Sequence, residues 1–289
     1  MINLLISIGC STVIFIIFRL FTRFRVKNFQ AIVMNYLVAG SIGFFLTGNP
    51  PDVDMIMKAD WLPFALTVGV LFITLFNVMA LSSQKVGVSI TSLATKMSFV
   101  IPVALAFYLY GDPVTVLKIA GIALALVGVY LSSTRKGKLS FNPKFLYLPV
   151  LLFIGSGILD TLLNYTEKNY PVRAIMMEYT SILFLFSAIF GLVYLGFRFS
   201  VGQEKPSGRS LLGGMVLGIP NYGSIYFLLQ TLSESGMNSS TVFSLNNIGI
   251  VVLSALVGKF VFRERLDAGN WIGIVLSITA IGLIGFAID

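Results

Sequence analysis

Ten stretches of about 20 apolar residues follow one another along this chain, separated by short polar breaks. They are Ile2–Leu20, Asn28–Thr47, Trp61–Ser83, Val88–Tyr110, Pro113–Ser133, Phe145–Tyr165, Ala174–Phe197, Ser210–Leu232, Met237–Val261 and Ala268–Ile288. A helix of about 20 apolar residues spans the hydrocarbon core of a bilayer. The pattern therefore predicts an all-α integral membrane protein with ten transmembrane helices. Outer-membrane barrels have strands of about ten residues with alternating polarity, which these runs lack. The breaks are rich in turn formers, as in Gly48-Asn49-Pro50-Pro51, Gly111-Asp112-Pro113 and Lys205-Pro206-Ser207-Gly208. No loop is long enough for a soluble domain. The first run has no basic leader and no A-x-A-like cleavage site, so it is expected to stay as a span.

Charged residues make up only 11% of the chain and apolar ones 56%, against about 25% charged in soluble domains. The net charge of +8 is confined to short loops between the apolar runs. It therefore predicts membrane orientation, not a nucleic-acid partner. Cys10 is the single cysteine and there is no histidine. This excludes an intrachain disulfide, Cys-cluster and His–Cys metal sites, His-based triads and His proton relays. No Walker, GxGxxG or HExxH context occurs. The expectation is a protein that is not an enzyme and needs no cofactor or metal.

The chain also repeats itself. Ala31-Ile32-Val33-Met34-Asn35-Tyr36 returns as Ala174-Ile175-Met176-Met177-Glu178-Tyr179, 143 residues later. At an offset of 152, Ser92-Leu93 falls on Ser244-Leu245, Asp112 on Glu264 and Gly121 on Gly273. The reading is two five-helix units, 1–138 and 139–289. Five is odd, so the second unit enters the membrane from the opposite face. Inverted repeats of this kind are common in secondary transporters, whose sites lie near the midplane between the repeats.

Phe262-Arg263-Glu264-Arg265-Leu266, followed by Asn270-Trp271-Ile272-Gly273-Ile274-Val275-Leu276, has its first-half partner in Gly111-Asp112 and Ile119-Ala120-Gly121-Ile122-Ala123-Leu124. With ten helices in two halves, these stretches resemble the drug/metabolite transporter superfamily, EamA type. The first helix departs from that pattern: Gly9-Cys10-Ser11 stands where many relatives carry Trp-Gly. The resemblance implies a carrier of small organic metabolites, an exporter rather than an importer, in a bacterial inner membrane. With ten crossings, 15 loop Lys and Arg residues fall on one face and four on the other, with Lys96 inside. The positive-inside rule then puts both termini outside the cytoplasm, whereas such carriers are commonly drawn with both termini inside.

Ionisable side chains within a bilayer cost about 2.5–3.5 kcal/mol each on insertion scales, so each asks for a reason. Lys96, Asp160 and Glu178 are the clearest. Helical rise groups the polar residues into two layers: Asn35 with Lys96, and Asp160, Glu178, Asn246 and Asn247 nearer the opposite face. In the functional reading Lys96 meets an anionic group of a substrate, and Asp160 or Glu178 meets a cationic group or carries a proton. In the structural reading Lys96 simply pairs with one of the carboxylates. Asn77, Asn164, Asn221, Gln230, Asn246 and Asn247 could equally be hydrogen-bonding glue between helices. Asn246 and Asn247 point about 100° apart and cannot both face one cavity. Tyr36, Tyr179, Tyr222, Tyr226 and Phe99 could stack on a ring or fill helix interfaces. Gly155-Ser156-Gly157 and Gly213-Gly214 read as close helix contacts, and Pro102 and Pro220 as helix breakers.

The substrate-binding set so predicted is Asn35, Tyr36, Lys96, Asp160, Glu178, Tyr179, Tyr222, Asn246 and Asn247. The function it suggests is alternating-access transport of a small polar or zwitterionic metabolite such as an amino acid. Its partners are that metabolite, the lipid bilayer and, as candidate coupling ion, protons. The rivals are an efflux pump for hydrophobic cations, which competition by lipophilic cations would select, and a non-transporting receptor or scaffold, which a stable partner without flux would select.

Overall fold

The computed structural model describes residues 2–48, 52–109, 116–135, 138–139, 141–170, 175–234 and 239–286. Its helices are α1 (Ile2–Arg23), α2 (Asn28–Thr47), α3 (Val53–Met57), α4 (Leu62–Lys85), α5 (Val88–Met97), α6 (Val100–Leu109), α7 (Val116–Ser133), α8 (Tyr147–Asn169), α9 (Met176–Ser200), α10 (Gly208–Glu234), α11 (Ser239–Phe260) and α12 (Ala268–Phe286). A two-residue antiparallel pair, β1 (Thr134–Arg135) with β2 (Lys138–Leu139), follows α7. The fold is all-helical. Among the described residues, α1, α2, α4, α8, α9 and α10 are long and apolar enough to cross a membrane. Four shorter apolar stretches, Val88–Pro102, Ile119–Gly128, Leu245–Phe260 and Ala268–Leu283, accompany them.

Local chemistry accounts for the ends. Gly48 closes α2 in the left-handed region, at φ 71°, with its N–H on the Phe44 carbonyl. Asp52 caps α3, accepting from Met55 N at 3.0 Å. Asp267 and Asn270 cap α12 reciprocally, each side chain accepting the other's backbone N–H at 3.0 and 2.9 Å. The chain leaves α1 differently. Arg25 takes φ 53°, a conformation usually left to glycine, and Val26 N reaches back to the Phe21 carbonyl at 2.9 Å.

Two elements depart from the sequence expectation. The loop after α2 carries α3. The run Val88–Tyr110 is split between α5 and α6 at Ser98-Phe99. Pro102 gives the reason: it has no N–H for the Ser98 carbonyl, and its ring crowds that oxygen. Ile101 N takes the Ser98 carbonyl instead, at 2.9 Å. Pro220 has no such effect, because α10 runs through it unbroken.

Packing joins the two sequence halves rather than separating them, and it comes in matched pairs. Helix α2 packs on α10 as α9 packs on α4; α1 packs on α10 as α8 packs on α4; α1 packs on α11 as α8 packs on α5. Helices α2 and α9 lie together, as do α5 and α11, and α7 and α12. Small residues permit the closest approaches. A Cβ on Gly214 would strike the Ala31 carbonyl and Met34, and one on Gly128 would lie 2.9 Å from the Gly273 carbonyl of α12. Buried aromatics such as Phe18, Tyr36, Phe76 and Phe184 fill the core around α2. A second core, with Leu93, Met97, Ala125, Val251 and Ile274, joins α5, α7, α11 and α12. The outer faces remain apolar, with Val193 69% and Phe197 60% exposed.

The loops after α1, α4, α9 and α11 meet at one end of the bundle. Arg19 Nη1 donates to the carbonyls of Ser83, at 3.0 Å, and Gln84. Gln84 and Asn28 exchange side-chain hydrogen bonds. Gln30 grips the loop before α10, donating to Glu204 at 3.0 Å and accepting from Ser207 N at 3.0 Å. Four of the basic loops that the charge pattern assigned to one face thus share one end of the molecule.

Candidate functional site

The break made by Pro102 lies beside the buried charges. Lys96 ends α5, one residue before Met97, and is half-buried. Asp160 is half-buried near the middle of α8, which packs on both α5 and α6. The two charges act on one another across that interface. Among the described residues no ion pair within 4 Å joins them. Ser98 stands at the break itself, next to Asp160. Its single proton can go to the carboxylate or to the Thr95 carbonyl, on which it rests at 2.6 Å. Lys96, Asp160 and Ser98 are therefore neighbours at the place where α5 gives way to α6.

Packing adds neighbours to the layers read from the sequence. Asp160, grouped there nearer one face, lies near the middle of α8. Lys96 has Asp160 as a charged neighbour, as its structural reading allowed, because α5 packs on α8, while Asn35 stands on α2, which packs between α9, α10 and α4. Helix α9 begins at Met176, so Glu178 lies in its first turn, where the helix dipole favours a carboxylate. Its charge reaches Tyr222 on α10, and Tyr222 stacks on Tyr226 at 6.0 Å and 23°.

The remaining predicted residues divide. Tyr36 is fully buried, donates to the Phe72 carbonyl at 2.9 Å and packs against Phe72, Phe76 and Phe184. Tyr179 is buried edge-on against Trp61 at 5.2 Å. Both are core residues. The single proton of Ser7 Oγ on α1 can go to the Ser224 carbonyl of α10, at 2.7 Å, or to Asn246 Oδ1 of α11, at 3.2 Å, so Asn246 lies at the junction of α1, α10 and α11. Asn247 is half-buried and makes no hydrogen bond to protein among the described residues. Asn77 bonds the Ile73 carbonyl of its own helix. The Asn164 side chain lies outside the described residues. Asn35 is fully buried, and neither its Oδ1 nor its Nδ2 meets a protein partner. Such a group costs about 1–3 kcal/mol, which keeps Asn35 a functional candidate.

Comparison with known proteins adds the fold but no activity. No family model matches the chain. A Haemophilus influenzae protein, described only as uncharacterized, is 27% identical over 290 residues, covering 96% of each chain. A protein known from a crystal structure shares the fold, with a TM-score of 0.61 over 96% of this chain and 95% of that one, at 14% identity.

Sequence reasoning missed the residue that fixes α5. Glu264, in the loop before α12, accepts from Val88 N at 2.5 Å, Ser89 N at 3.2 Å and Ser89 Oγ at 2.7 Å. It caps a helix 175 residues away in sequence. Gly87, at φ 124°, makes room for the carboxylate: a Cβ there would lie 2.8 Å from Glu264 Oε1. The echo of Glu264 in Asp112 and its place in the Phe262–Leu266 motif mark it in the sequence, but neither says which helix is capped.

Proposed function

We propose that this protein is a secondary transporter of the drug/metabolite type, moving a small polar or zwitterionic metabolite such as an amino acid across the bacterial inner membrane by alternating access. The observation that carries the reading is Lys96 facing Asp160 beside the Pro102 break. Opposite charges held apart in an apolar bundle can each take one end of a zwitterion, Lys96 its carboxylate and Asp160 its ammonium group. Broken helices at a buried polar site are the recurring device of such carriers. The matched helix pairs support two inverted five-helix repeats, 1–138 and 139–289, which interlock. In this arrangement α5 and α8, one from each half, carry the two charges, so rocking of the halves moves them relative to one another. Export is the direction in keeping with the family resemblance. A carboxylate at Asp160 also gives protons a place to couple. The clustered basic loops form the cytoplasmic end, and both termini face outward.

The test is flux in proteoliposomes over a panel of amino acids and related metabolites. Counterflow of at least one zwitterion is expected, lost in Lys96→Ala and in Asp160→Asn with insertion unchanged. Normal flux in both variants, or competition only by lipophilic cations, refutes the assignment.

A further inference from the structure

Three arginines at the basic end do nothing for the fold. Arg23 closes α1, Arg25 follows it, and Arg209 lies in the first turn of α10; all three are exposed. Among the described residues none of their side chains has an ion pair or hydrogen bond. Their neighbours are engaged: Arg19 caps α4, and Lys27 and Arg198 face Glu204 at 3.9 and 3.5 Å. Arg25 also holds the left-handed backbone that glycine would adopt without cost. That conformation is kept at the rim of a groove.

The three arginines line one groove of about 660 Å³ between α1 and α10, whose other walls are apolar and which, among the described residues, includes no acidic one. Phe24, Leu212 and Val216 stand 58%, 64% and 57% exposed in it. The groove shares Ile17 and Val216 with a second, apolar cleft of about 440 Å³, which runs on along the same seam to Tyr222 and Phe227. Unpaired cations thus sit at one end of a continuous apolar channel that opens sideways.

We infer that the α1–α10 seam is a binding site for an anionic phospholipid. Arg23, Arg25 and Arg209 hold the headgroup phosphate, and one acyl chain lies along Ile17 and Val216 toward Tyr222. Guanidinium forks match phosphate oxygens in geometry and charge. Basic pockets between membrane helices at the cytoplasmic side take anionic headgroups. A free phosphate would use the arginines but leave the apolar cleft uncovered, so the occupant is a lipid of the surrounding leaflet. The inference rests on the membrane reading above and not on transport.

Native mass spectrometry of the detergent-purified full chain measures it, with phosphatidylglycerol, phosphatidylcholine of the same acyl chains, and inorganic phosphate as separate probes. Phosphatidylglycerol is expected to bind tightest. The triple variant R23Q/R25Q/R209Q should weaken it on the order of a hundredfold, from about fivefold per arginine. Val216→Trp, which fills the cleft while sparing the arginines, should weaken long-chain phosphatidylglycerol but not inorganic phosphate. Because the arginines support no other contact, the triple variant should melt like the parent in lipid-free detergent. Equal binding of phosphatidylcholine, full retention by the triple variant, or phosphate binding as tightly as the lipid would each overturn the proposal. Lys96→Ala protein should bind the lipid normally, which separates failure here from failure of the transport assignment.

Discussion

Replacing Glu264 by alanine should loosen a helix that belongs to the other half of the chain. The carboxylate accepts two backbone N–H groups, from Val88 and Ser89, and the Ser89 hydroxyl. Val88 and Ser89 are 0% and 3% exposed, so water cannot easily replace the lost acceptor. Each stranded buried donor costs about 1–3 kcal/mol, and loss of the negative charge at the helix start about 0.3–1 kcal/mol more. Glu264 itself is half-exposed, which favours the lower ends of these ranges and gives about 3 kcal/mol. In local opening that is on the order of a hundredfold. Hydrogen exchange by mass spectrometry in nanodiscs reads it directly. The amides opening α5 should exchange about a hundredfold faster in Glu264→Ala, and those of α2 at the parental rate. Glu264→Gln, which keeps one carbonyl oxygen in place, should lose only about 1 kcal/mol. Exchange in α5 within about threefold of the parent would refute the cap. Because α5 also carries Lys96, flux should fall in Glu264→Ala by more than the loss of inserted protein.

Lys96→Met and Asp160→Asn should each destabilise by about 1–3 kcal/mol, because each strands a half-buried charge, while the double variant recovers most of that loss. Thermal unfolding measures the stabilities, and a double variant that regains stability but not flux separates the transport role from a structural pair. Pro102→Ala should let α5 and α6 join into one helix, seen as slowed exchange at Ser98–Pro102 together with reduced flux. Gly214→Leu should drive a side chain into the Ala31 carbonyl, separating α10 from α2 at a cost of about 1–3 kcal/mol, checked as a lower melting temperature. Arg19→Ala should remove the cap on the α4 carbonyls for about 1–2 kcal/mol, read by the same melt.

Composition and run length alone made the chain helical and apolar, because only a helix satisfies its own backbone over twenty residues without water. They also located the charged residues worth asking about, since Lys96 and Asp160 stand out against an apolar background. The echo between Asn35 and Glu178 pointed to duplication, and the loop charges anticipated that the basic loops share one end. What sequence could not fix was any relation between helices. Depth measured along a run pairs residues at equal height, so it grouped Asn35 with Lys96. Which helices touch depends on where small residues let them close, as at Gly157, where a Cβ would strike Ile101, and the packing of α8 on α5 and α6 brought Asp160 near Lys96. Glutamate at 264 stood out in the sequence only as part of a repeated motif, and arginine at 25 only as one of the basic loop charges. Only the folded chain makes one a helix cap and sets the other at the mouth of a groove, because both roles come from residues brought together across the length of the protein.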